Sequence, residues 1–87
     1  MLDANVANVK FLMSINSDVA EFVPSLNSKI TRKVVRGLNL PKGMTIGGLV
    51  RNGEGMLVSG NTLIEAGDSV VVFCYNVDMK KVEKLFI

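Results

Sequence analysis

The chain reads as an α+β domain, a small antiparallel β-sheet with two short helices packed on it in two layers. Three observations predict this. Asn52-Gly53 lies between two apolar runs, the strongest short-range hairpin signal, because both central residues of a type I′ turn need positive φ. Residues 69–75 (SVVVFCY) form an almost wholly apolar run bounded by turn residues, which suits a central strand covered on both faces. Residues 79–86 place Met79, Val82, Leu85 and Phe86 on one helical face and Lys80, Lys81, Glu83 and Lys84 on the other.

Taken in order, residues 9–15 and 19–23 read as strands joined by the turn cluster Asn16-Ser17-Asp18, with Pro24 ending the second. Residues 3–8 suit the last turn of a helix from a preceding element. Residues 31–38 (TRKVVRGL) suit a short helix with Thr31 as N-cap, weakened by Gly37 and stopped by Pro41. Residues 44–51 form a strand with Thr45, Gly47, Leu49 and Arg51 on one face and Ile46, Gly48 and Val50 on the other. Gly47-Gly48 removes side chains where another group must come close. Residues 56–59 return along that strand, and an extended piece at 62–64 leads to the Ala66-Gly67-Asp68 turn. Asn76 or Asp78 can cap the last helix.

The 87 residues make one domain with a thin core. With 48% apolar residues and only Cys74, no intramolecular disulfide is possible, and a small domain of this kind often completes its core by oligomerising. A homodimer is the expected partner. The formal charge of +2 neither demands nor excludes a polyanion. No run is long enough to span a bilayer and no signal peptide is legible, so the chain reads as soluble and intracellular.

Histidine is absent, which excludes Ser-His and Cys-His nucleophile pairs and His-ligated metals. Cys74 lies in the most apolar strand and reads as a buried structural thiol. The acidic residues are scattered singly at turns. Glu65 with Asp68 comes nearest to a carboxylate pair, and turn chemistry outweighs a weak cation site there. The glycines of IGGLVRNGEG lie within and between strands, where hairpin geometry accounts for them better than a phosphate cradle does. Neither catalytic nor metal-binding residues emerge, and the expected class is not an enzyme.

Two surface features remain. Lys29, Arg32, Lys33 and Arg36 recur at i, i+3, i+4 and i+7, with Lys42 beyond them. That is a solvated helix face or a phosphate-contacting patch. No aromatic stripe accompanies it, so nucleic acid is the weaker reading. Ile46, Gly47, Gly48, Leu49, Val50, Arg51 and Asn52 form the expected dimer-interface or ligand-contact surface, because the glycines permit close approach and neither strand face is polar along its length.

The succession LNLPKG at 38–43, IGGLVRNGE at 46–54, GNT at 60–62, EAGD at 65–68 and KKVEKLF at 80–86 resembles the RCK C-terminal domain, more narrowly the TrkA C-terminal domain. The resemblance runs over nearly the whole chain. It implies a non-catalytic regulatory domain of a cytoplasmic subunit of a Trk-type potassium uptake system, placed at the inner face of the cell membrane. It also implies pairing with a second copy, transmission of ligand state to a membrane transporter or channel, and a piece of a longer chain. NAD(H) or ATP would then belong to an upstream domain absent here, with no cofactor in this one. Some relatives take a cyclic dinucleotide, so a small nucleotide ligand is an alternative, as is a nucleic-acid-binding module using the basic stripe. The family's usual glycine near Leu26-Asn27-Ser28 is missing, but Asn tolerates left-handed backbone well enough to replace it.

Overall fold

The computed structural model describes residues 18–87. The expected strand at 9–15 and the helical turn at 3–8 lie outside the described residues. Four antiparallel strands form one sheet in the order β1-β4-β2-β3: β1 is Asp18–Phe22, β2 Met44–Arg51, β3 Glu54–Leu57 and β4 Ser69–Cys74. The apolar run at 69–74 is central as expected, paired with β1 on one side and β2 on the other. Between β2 and β3, Asn52 (φ 53°) and Gly53 (φ 79°) both adopt the positive φ that a two-residue hairpin needs. The return strand starts at Glu54 rather than Met56, because this tight loop lets pairing begin at once, with Arg51 opposite Glu54.

The β2–β4 ladder contains a bulge at Gly47. Ile46 pairs with Val72 and Gly48 with Val71, so Gly47 has no rung of its own. This corrects the simple alternation expected for the strand. Met44, Ile46 and Leu49 share the core face, while Thr45, Gly48 and Val50 share the opposite one. A Cβ at 47 would sit 2.3 Å from the Phe73 ring, so any larger residue there would have to displace that ring.

The core lies on one face of the sheet. Met44, Leu49, Val70, Val72 and Cys74 point into it and meet Ile30, Ile64, Val82 and Phe86 from the second layer. Each fully buried Val or Ile contributes about 1.5–3 kcal/mol relative to exposure. Phe22 of β1 stacks on Phe86 with ring centroids 4.6 Å apart. Among the described residues the second layer contains one α-helix, α1 (Met79–Glu83), which ends sooner than expected and continues as a turn to Phe86. Asp78 caps it by accepting from the Lys80 N–H at 2.9 Å.

The second expected helix, at 31–38, is instead two 3₁₀ turns, Lys29–Thr31 and Val35–Gly37, with Val34 extended between them (ψ 156°). The backbone donors a helix would use internally go elsewhere. Val35 N–H donates to Thr62 O and Arg36 N–H to Gly60 O, both at 2.9 Å. Two adjacent β-branched residues and Gly37 offer little local resistance to that competition. Thr31 caps nothing, and its hydroxyl donates back to Ser28 O. The expected extended piece at 62–64 has no regular secondary structure and does not join the sheet. Asn27 takes φ 64°, left-handed backbone that Asn tolerates.

Candidate functional site

The register of the four strands defines a second sheet face, opposite the core. Val19 of β1 lies beside Phe73 of β4, and Thr45 of β2 flanks Phe73 on its other side. Gly48 sits between Val71 and Leu57, and Val50 between Ser69 and Gly55. None of Val19, Val50, Leu57, Val71 and Phe73 joins the core cluster or packs against it. Leu57 is 90% exposed. Two glycines at 48 and 55 keep the surface flat, and a Cβ at Gly48 would lie 2.9 Å from the Met56 carbonyl oxygen. Thr45, Glu21 and Ser69 break this face with polar groups, and the Ser69 hydroxyl donates to the Glu21 carboxylate.

Of the residues expected to form a contact surface, Gly48 and Val50 lie on this open face. Gly47 abuts the Phe73 ring, and Asn52 is exposed at the hairpin tip. Leu49 is sealed in the core and the half-buried Ile46 packs against it; the bulge puts both on the inner face.

Arg51 is committed to the fold. Its Nε donates to Asp68 Oδ1 at 2.9 Å and its Nη2 to Asp68 Oδ2 at 2.7 Å, a bidentate fork. Nη2 also donates to Leu63 O at 3.0 Å, and Nη1 lies 3.6 Å from Glu65 Oε2. Asp68 Oδ2 accepts the Glu65 N–H at 2.8 Å, closing the Glu65–Asp68 turn. The guanidinium thus neutralises the carboxylates that sequence alone left open as a weak cation site. Among the described residues, no three His, Cys, Asp or Glu side chains gather as a metal site would need.

The Asp68 side chain is 3% exposed. Hydrogen bonding from Arg51 holds its carboxyl below the usual range against the opposing effect of burial, with help from the Glu65 N–H. The same hydrogen bond raises Arg51. A carboxylate whose folded pKa is depressed stabilises the fold above its unfolded pKa, and that contribution disappears as pH falls through the folded value. Urea midpoints should therefore drop below about pH 4, and Asp68→Asn should show a flatter acid limb. Parallel acid limbs for the two proteins would contradict this assignment.

The basic segment is exposed but is not a helical stripe. Lys29 lies in the first 3₁₀ turn and Arg36 in the second, with Arg32 and Lys33 in the link between them, so the i, i+3, i+4, i+7 geometry does not apply. Arg32 donates through Nε and Nη2 to Asn27 O at 3.1 and 2.9 Å. Among the described residues none of the four pairs with a carboxylate within 4.0 Å. No described helix is long and apolar enough to cross a membrane.

A four-stranded sheet and a hairpin pinned at its end by an Arg–Asp fork define a small α+β module, and among the described residues the second layer packs on one face of that sheet. A family model described as the TrkA-C domain matches residues 19–87. The chain belongs to the TrkA-C domain family. It is similar to the Trk system potassium uptake protein TrkA of Azorhizobium caulinodans, with 46% identity over 59 residues covering 68% of this chain and 13% of that protein. It is also similar to the Trk system potassium uptake protein TrkA of Vibrio alginolyticus, 33% identical over 87 residues, 95% of this chain and 19% of the relative. A TrkA homolog of Archaeoglobus fulgidus is 31% identical over 78 residues, 90% of this chain and 18% of the relative. The chain thus spans less than a fifth of the curated relatives it matches.

Proposed function

We propose that this chain is a non-catalytic regulatory and dimerisation domain of a potassium uptake subunit, acting on a Trk-type membrane partner at the cytoplasmic side of the membrane. The observation that carries this reading is the apolar sheet face opposite the core, which no described helix or turn packs against. A second copy laid on that face would bury Val50, Leu57, Val71 and Phe73 together. Apolar burial is the main driving term for such association. Regulation then acts by population shift: an upstream nucleotide-binding domain, holding NAD(H) or ATP, biases one dimer arrangement by its differential affinity for the two.

Sedimentation equilibrium tests this directly. The wild-type chain should be dimeric, and Leu57→Asp should shift it to monomer without lowering monomer stability, because the side chain is already exposed. A wild-type chain that stays monomeric up to millimolar concentration would overturn the reading.

A further inference from the structure

We propose that Asn52-Gly53 is a self-modification site, where the Gly53 backbone nitrogen attacks the Asn52 carboxamide and the residue ages to isoaspartate. The hairpin tip leaves both reacting groups free. Asn52 and Gly53 are exposed, and a Cβ on Gly53 would meet nothing within 4 Å, so a five-membered ring has room there. Neither the Gly53 N–H nor the Asn52 carboxamide has a hydrogen-bond partner among the described residues. Glycine also brings no side chain to crowd the attacking nitrogen.

The other described asparagines lack this combination. Ser28, after Asn27, is 2% exposed and its N–H donates to Ser25 O at 3.2 Å. Thr62, after Asn61, donates its N–H to Ser59 O at 3.1 Å. Leu40 and Val77, after Asn39 and Asn76, set branched side chains beside the nitrogen.

The step balances with solvent alone. Base takes the Gly53 amide proton, the nitrogen bonds to Asn52 Cγ, and the Cγ–Nδ2 bond breaks to release ammonia. Water then opens the cyclic imide at Cγ, giving an aspartyl residue, or at the main-chain carbonyl carbon, giving an isoaspartyl one. The isoaspartyl product adds one carbon to the backbone of a two-residue loop whose length sets Arg51 opposite Glu54. The β2–β3 pairing therefore loosens as the chain ages. The new charge alone would not do this, because Asp tolerates left-handed backbone as Asn does.

Incubating the chain in warm, mildly alkaline buffer tests this, with peptide mapping by mass and backbone amide chemical shifts as readouts. The side-chain amide at 52 should be lost, with more isoaspartyl than aspartyl product, and shifts across 48–57 should change in step. Asn52→Asp should leave the β2 and β3 shifts unchanged away from the tip. An amide at 52 that survives while a free peptide of residues 49–56 converts would overturn the proposal. Conversion to aspartate alone, or an isoaspartyl product with unchanged β2–β3 shifts, would do the same. Covalent mass and local shifts are read whatever the oligomeric state, so the outcome is separate from that of dimerisation.

Discussion

Gly43→Ala is expected to destabilise the domain by about 3 kcal/mol, lowering the melting temperature on the order of 15 °C. Gly43 adopts φ 97°, where an L side chain is strained, and a Cβ there would lie 2.2 Å from the Tyr75 carbonyl oxygen. That oxygen belongs to backbone and cannot rotate away. Relief would require separating residues 43 and 75, which breaks the Tyr75 N–H to Gly43 O hydrogen bond. Gly53→Ala is the matched control. It too has positive φ (79°), but its Cβ would meet nothing within 4 Å, so only the backbone strain of about 1 kcal/mol should appear. Urea unfolding should separate the pair by midpoint with little change in slope. Equal losses at the two positions would show that the close approach to Tyr75 costs nothing.

Asp68→Ala is the other large effect expected, also about 3 kcal/mol. Removing this carboxylate takes both partners of the Arg51 fork and the acceptor of the Glu65 N–H in one step. A guanidinium aimed at an emptied site is worse than no guanidinium, so the variant carrying both Arg51→Ala and Asp68→Ala should be less destabilised than the sum of the singles. Arg51→Lys should not restore the wild type, because an ammonium cannot make two parallel bonds to one carboxylate. Simple additivity in the double-mutant cycle would remove the basis for treating the pair as a unit.

The parts of the fold governed by local chemistry were legible in the sequence. Asn52-Gly53 could only be a tight hairpin, 69–74 could only be a central strand, of which Val70, Val72 and Cys74 are buried, and Asn76 or Asp78 stood where a cap was needed. What escaped was governed by pairing across the chain. The segment at 31–38 has a helical pattern, yet the carbonyls of Gly60 and Thr62 claim its donors, and no local signal announces that. The bulge at Gly47 escaped for a similar reason, since a glycine in a strand does not say whether it keeps or skips a rung. Arg51 and Asp68 lie one rung beyond the Val50–Ser69 pair, so aligning β2 against β4 would have found them; reading each strand alone could not.

That skipped rung sets the phase of the whole strand. Side chains change sides with every rung, so the end carrying Met44 and the end carrying Arg51 both reach the inner side only because Gly47, between them, takes no rung. Were Gly47 to take a rung of its own, the guanidinium would swing onto the outer face of the sheet, leaving Asp68 with no counterion. One side-chain-free position therefore decides at once which surface is greasy and which end of the ribbon is locked.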